Sequence, residues 1–398
     1  MKEPEIRRED LQTWADYLLN HSIGGVKPGE RVMIKGERIG WPLMELLEEG
    51  VIKAGGIPDV YLVPPNNERG RVWSSTMVRH GSEAQIDAVP EWHKGRYESM
   101  DKYVEVLGAE SPSVYANLSG DETRKLAEAD KPFSSIRLTK SWVITLYPTP
   151  GFAEMEGLSL KEYTDFIVGA STTDPKPLLE AEKRIGPTVQ EGKKVTIATE
   201  HPREKRELVL EMDISHGNAQ LSYGLRNFPD GEVFTSPDAR STQGEIFVDL
   251  PVHYGGKDIK GIYLKFEGGR IVDYSADEGH EQLAAIIETD DGSKRLGEVA
   301  FGMNPGLDRV LKHPLFVEKV GGTLHIAIGA SYEQCYTEDP TSEEGKKIVK
   351  TLEEESVLNR SAQHVDIVTD FRKGGVGRWV KIDDSELVVE DSVWVVKK

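Results

Sequence analysis

Between residues 28 and 63 a short apolar strand pattern, a helical pattern and a second strand pattern follow one another. That succession restricts the fold more than any other feature of the chain. Pro28-Gly29-Glu30 punctuates before Val32-Met33-Ile34, and residues 42–54 read as a helix with Pro42 in its first turn and Gly55-Gly56 past its end. Val60-Tyr61-Leu62-Val63 is the next strand, and a helical crossover between two strands implies that they pair in parallel. Upstream, Ile6, Leu11, Trp14, Ala15, Leu18 and Leu19 recur at helical spacing and predict an amphipathic helix over residues 6–20.

The rhythm continues with a helix over 100–106, a strand over 113–118, a helix over 121–129 and a strand over 140–146. Helices over 160–170 and 176–184 follow. Tyr147-Pro148-Thr149-Pro150-Gly151 predicts a loop, because two prolines deny the chain both ladder donors and helix. Residues 1–188 thus predict an open α/β domain with a parallel sheet.

From Lys193 the texture changes to β-branched strands joined by Gly or Pro turns: 194–199, 208–212, 231–236, 244–250, 259–266 and 270–274. Helices are predicted over 278–288 and 342–359, the latter rich in charge. Residues 189–398 therefore predict a strand-rich α+β domain that carries the metal-binding and catalytic groups. Two domains also suit a length of 398 residues, too long for one ordinary core.

Several function classes fall away on composition. No run of eighteen apolar residues exists, so no membrane span is expected. Met1 to Arg8 lacks the apolar core of a signal peptide, and a cytoplasmic location is expected. A formal net charge of −19 argues against a nucleic-acid partner and suits a divalent-cation protein. Cys335 is the single cysteine, so a metal must be held by imidazoles and carboxylates.

The candidates are Glu232, Glu298, Glu318, His325, Tyr332, His364 and Asp366. Glu298 lies in Leu296-Gly297-Glu298-Val299-Ala300-Phe301 and His325 in Leu324-His325-Ile326, both apolar surroundings. A buried carboxylate is costly without a cation, and no arginine or lysine follows within the Glu298 strand, so a metal is its expected partner. His364 and Asp366 are two apart, which in a strand puts them on one face. Carboxylates mixed with two imidazoles suit Zn²⁺, Mn²⁺, Co²⁺ or Fe²⁺ better than the all-oxygen shells of Ca²⁺ and Mg²⁺. Five or six donors exceed one tetrahedral site and would be fully used by two metals bridged by a carboxylate.

At these residues the chain resembles the aminopeptidase T family of thermophilic-type metallo-aminopeptidases. The stretches are Asn227-Phe228-Pro229-Asp230-Gly231-Glu232-Val233-Phe234-Thr235, Leu296-Gly297-Glu298-Val299-Ala300, His325-Ile326-Ala327-Ile328-Gly329 with Tyr332, and His364-Val365-Asp366, in that order. The resemblance implies a homodimer that hydrolyses peptides with a free N-terminus at a centre of two divalent ions (Zn, Co, Mn or Mg). It implies Glu298 as the bridging ligand, with Glu232, Glu318, His325, His364 and Asp366 completing the shells and Tyr332 in a catalytic role. The chain departs from the family in three places, one of them the segment between Tyr332 and His364. Glu318 lies two residues further from its His than the family's ligand, so Gly321-Gly322 must absorb the excess; and Gly329-Ala330-Ser331-Tyr332 lacks the family's arginine. An alternative from the same residues is a mononuclear Fe(II) ring-cleaving dioxygenase using His325, His364 and Asp366 as a 2-His-1-carboxylate set.

Overall fold

The computed structural model describes residues 3–63, 72–108, 120–254, 257–372 and 378–397. Their contacts divide into two units, one of residues 1–173 and 224–229, the other of residues 174–223 and 230–398. The strand expected over 113–118 lies outside the described residues.

In the first unit the parallel expectation is met. Strands β1 (Arg31–Glu37), β2 (Ile57–Val63), β3 (Lys102–Leu107) and β4 (Ser141–Leu146) form a sheet in the order β2-β1-β3-β4, every pair parallel. Asn227–Phe228, returning from later in the chain, adds a fifth strand beside β4, also parallel. The crossover from β1 to β2 is the helix Trp41–Lys53, which buries Leu43, Met44, Leu46, Leu47 and Val51. The first helix, Arg8–Asp16, runs on into a π-helical turn, Tyr17–Ser22.

Two expectations in this unit are corrected. Residues 102–107 are strand, not helix, because their charges are satisfied inside the sheet. Lys102 Nζ donates to the carbonyls of Ile23 (2.8 Å) and Gly25 (2.6 Å), and Glu105 lies 3.2 Å from Lys35, its register partner on β1. Pro150 does not extend a loop; it opens the helix Pro150–Glu156 at a first-turn position where no N–H is missed. Thr149 caps that helix by accepting from Phe152 N at 3.2 Å.

The second unit stacks two antiparallel sheets. One has eight strands in the spatial order Arg270–Ser275, Ile262–Glu267, Gln243–Val248, Glu207–Asp213, Lys194–Glu200, Trp379–Ile382, Ser385–Glu390, Val393–Val396. The other has five: β5 (Gln220–Ser222), β6 (Glu232–Thr235), β7 (Leu296–Gly302), β8 (Thr323–Gly329) and β9 (His364–Asp370), in the order β9-β8-β7-β6-β5. Val299, Phe301, Leu324, Ile326, Ile328 and Ile367 of the smaller sheet share one core with Val195, Ile197, Leu210, Met212, Ile246 and Leu264 of the larger. Interleaved apolar faces of this kind are the usual core of two packed sheets.

The expected boundary at residue 188 is displaced. The helices Lys176–Glu182 and Gly186–Glu191 belong with the second unit, because Ala181, Ile185 and Val189 are buried in its core. The last helix also ends early, at Glu354, where the chain turns to bury Val357, Leu358 and Asn359. Among the described residues no helix is long and apolar enough to cross a membrane.

Candidate metal centre

The face of the smaller sheet turned away from the shared core carries almost every residue singled out above. Register fixes this. Glu232 pairs with Gly302, Ala300 with His325, Glu298 with Ala327, Ala327 with Asp366, and Gly329 with His364. Cross-strand partners share a face, so Glu232, Glu298, His325, His364 and Asp366 converge from four adjacent strands. The positions between them are Ala300, Gly302, Ala327 and Gly329, residues too small to fill the space the polar groups enclose.

A β-bulge makes the convergence possible. Leu296 pairs with Ile328 and Glu298 with Ala327, so Gly297 is the extra residue on β7. In a regular strand Leu296 and Glu298 would share a face. The bulge lets Leu296 enter the core while Glu298 turns to the polar side. Only glycine fits: a Cβ at Gly297 would meet the Ala330 carbonyl oxygen at 2.1 Å and the Gly329 oxygen at 2.5 Å.

The cluster is dense. His325 Nε2 lies 3.0 Å from Glu298 Oε1, 3.5 Å from Glu232 Oε2 and 4.0 Å from Asp366 Oδ1. His364 Nε2 lies 3.3 Å from Asp366 Oδ1 and 3.5 Å from Glu298 Oε2. The other nitrogen of His364, Nδ1, donates to the Ala330 carbonyl at 2.7 Å, which leaves Nε2 as the lone-pair nitrogen facing the carboxylates. Glu318 joins despite its displaced spacing, because Gly322 takes a left-handed φ of 82° and its N–H binds the Gly302 carbonyl at 2.9 Å. One donor atom each from Glu232-Glu298-His325, from Glu298-His364-Asp366 and from Glu318-His325-Asp366 lies within 4.8 Å of the others in its group.

Electrostatics within the cluster follow from burial and proximity. Burial works against the His325 imidazolium, but the hydrogen bond to Glu298 and the charges of Asp366 and Glu232 outweigh it and raise its pKa to about 9. Burial pushes Glu232 up to about 7 against the pull of Lys319 and His325. Tyr332 stands at the margin, 39% exposed, with its ring 4.6 Å from that of His364 and 5.8 Å from that of Phe234.

The Glu298 strand holds no arginine or lysine, as its sequence shows, but other members of the set have a protein cation beside them. Lys319, only 2% exposed, donates to Glu232 Oε1, and its Nζ lies 2.9 Å from Glu318 Oε1 and 3.6 Å from Asp230 Oδ1. It comes not from the strand but from the turn after the short helix Pro314–Val317. Glu182, from the helix Lys176–Glu182, is fully buried nearby. Burial, reinforced by the charges of Asp230 and Glu232, raises its pKa to about 10. Neither Glu182 nor Asp230 was among the candidates. A lysine inside Phe316-Val317-Glu318-Lys319-Val320 was the legible sign.

The residues fit a divalent ion on an observation independent of spacing. Glu232 Oε2, Glu298 Oε2 and Asp366 Oδ1 are buried and lack a hydrogen-bond partner, although buried polar atoms are normally paired. All three face the same cluster, where a cation would satisfy them together.

Residues 7–378 match the family described as thermophilic metalloprotease (M29). The chain belongs to that family. Aminopeptidase 2 of Geobacillus stearothermophilus is 35% identical over 162 residues, 38% of this chain and 37% of the relative. Aminopeptidase T of Thermus thermophilus is 36% identical over 141 residues, 33% of this chain and 34% of the relative. These alignments thus span little more than a third of the relatives' own length. The solved structure of wild-type AmpT from Thermus thermophilus superposes with a TM-score of 0.72 at 21% identity, covering 98% of each chain, and shares the M29 chain's two-part α/β and strand-rich fold. The mononuclear dioxygenase alternative finds no support in these matches.

Proposed function

We propose that this chain is a metal-dependent aminopeptidase, removing the first residue from peptides with a free N-terminus. The observation that carries the reading is the trio of buried, unpartnered carboxylate oxygens facing two imidazoles on one sheet face. The M29 membership and the aminopeptidase names of the relatives support the choice of reaction.

Glu232, Glu298, Glu318, His325, His364 and Asp366 are the donors from which a bound ion would draw its ligands. A bound divalent ion would supply Lewis acidity at the scissile carbonyl and lower the pKa of a water toward about 7. Two imidazoles among carboxylates favour Zn²⁺, Co²⁺ or Mn²⁺ over Mg²⁺. Six donors would serve two ions sharing Glu298, but Lys319 claims part of that set. The Ala330 carbonyl holds His364 in the tautomer that presents Nε2, and Ala300 and Ala327 keep the floor of the site low. The acidic lining attracts the α-ammonium of a peptide end. Tyr332, part exposed beside His364, is proposed to donate to the developing oxyanion, a contact worth roughly 2.7–4 kcal/mol. A homodimer and a cytoplasmic location belong to the same proposal and rest on the family resemblance.

The test is hydrolysis of aminoacyl-anilides by metal-loaded wild type, Glu298→Gln and Tyr332→Phe. Glu298→Gln is expected to lose metal and activity together. Tyr332→Phe is expected to keep its metal while kcat falls about 10²–10³-fold. Full activity after chelation, or in Glu298→Gln, would defeat the proposal.

A further inference from the structure

The buried ammonium of Lys319 divides the cluster in two. It donates to Glu232, lies 2.9 Å from Glu318 Oε1 and 3.6 Å from Asp230 Oδ1, and its side chain is almost wholly excluded from solvent. Of the three donor groups that could hold an ion, the one with Glu232 and the one with Glu318 each include a carboxylate already bound to Lys319. Only Glu298-His364-Asp366 is free of it. His325 stands beside that group, 3.0 Å from Glu298 and 4.0 Å from Asp366.

From this division we propose that the centre takes a single divalent ion, held by Glu298, His364 and Asp366 with His325 beside them, and that the Lys319 ammonium stands where a second ion would otherwise sit. The inference rests on the metalloenzyme reading and specifies its stoichiometry. A second ion would have to take the oxygens of Glu232 or Glu318 while an ammonium remained bound to the same carboxylates. At such separations in a poorly screened site, like charges strongly oppose each other. The lysine cannot leave cheaply either. It is enclosed by the turn Glu318-Lys319-Val320, whose backbone is pinned by Asn304 N to Lys319 O at 3.0 Å and by Lys319 N to Phe316 O at 3.1 Å. Asn304 also donates through Nδ2 to the Asp230 carbonyl at 2.5 Å, tying the lysine's turn to the strand entry that supplies Asp230 and Glu232.

Removing the ammonium while keeping the apolar stem tests the idea. The full chain, stripped with a chelator and dialysed, is titrated with Co²⁺ or Zn²⁺. Stoichiometry is read by isothermal titration calorimetry, elemental analysis and, for Co²⁺, visible absorption. Wild type is expected to saturate at one ion per chain and Lys319→Met at two. Wild type saturating at two ions overturns the inference while leaving the metalloenzyme reading intact, as does Lys319→Met saturating at one. No ion bound by wild type defeats both. Should Lys319→Met fail to fold, the wild-type stoichiometry still decides, and Lys319→Gln, which keeps a donor without the charge, is expected to raise it above one. Lys319→Gln remaining at one overturns the inference.

Discussion

Replacing Gly297 by alanine adds one methyl group where three parts of the centre meet. The new Cβ would lie 2.1 Å from the Ala330 oxygen, 2.4 Å from the Ala330 carbonyl carbon and 2.5 Å from the Gly329 oxygen. Ordinary contacts begin near 3.4 Å, so backbone must move by about an ångström, and no flexible side-chain end is there to yield. Each obstructing carbonyl already holds something. Ala330 accepts from His364 Nδ1 at 2.7 Å, and Gly329 accepts from the buried Asn359 Nδ2 at 2.6 Å. The displacement therefore reaches Glu298 through the bulge and His364 through its orienting bond. Overpacking of this kind destabilises by about 1–3 kcal/mol, which for a unit of this size is a fall in Tm of roughly 2–12 °C. Disturbing the group that orients a ligand weakens metal affinity by about 10–100-fold. Calorimetric titration of Zn²⁺ into wild type and Gly297→Ala, with thermal melts of both metal-free proteins, measures the two effects. A variant with wild-type affinity and wild-type Tm would refute the role assigned to the bulge.

Two further predictions concern the first unit. His93, on the helix Glu91–Ser99, has both ring nitrogens buried without partners among the rings of Trp92, Tyr97 and Phe133. Burial, reinforced by Lys35 and Arg96, lowers its pKa from 6.5 to about 4, so the unfolded chain takes up the proton first and stability, full above pH 6.5, falls by about 3 kcal/mol as the pH drops through that interval. His93→Phe keeps the ring contacts and is expected to flatten that loss in urea titrations between about pH 7 and 4; parallel losses in variant and wild type would count against it. Lys35→Met strands the buried Glu105 carboxylate and is expected to destabilise by roughly 3–5 kcal/mol. Adding Glu105→Gln, which still accepts from Tyr103, should recover most of the loss in thermal melts, and a double variant as weak as the single one contradicts the pairing argument.

Much of this architecture was legible because hydrophobic period and turn residues are local. The crossover from Val32 to Val63 and the shared face of His364 and Asp366 follow from spacing alone. What escaped depended on groups distant in sequence. Residues 102–107 resembled helix because Lys102 and Glu105 look like solvent-facing charges until the carbonyls of Ile23 and Gly25 and the ammonium of Lys35 are beside them. Glu182, in the helix expected over 176–184, was likewise not singled out, yet it is fully buried. The cation beside Glu232 is Lys319, 87 residues away in sequence. Glu318 reaches the cluster through the left-handed Gly322, which no ligand spacing would reveal.

The fifth strand of the first sheet carries a consequence for the order in which the protein is made. Asn227–Phe228 is synthesised more than fifty residues after the first unit's other described elements end, at Thr173. Until it emerges from the ribosome, the outer edge of β4 has no partner at Ile144 and Thr145, and Thr145 Oγ1 lacks the Phe228 carbonyl it donates to at 2.7 Å. An uncovered strand edge is a template for pairing with another nascent chain. The same six residues, 224–229, mean that no single break in the polypeptide yields both units whole, so a gene fragment ending at residue 173 would encode a sheet without the strand that pairs with β4.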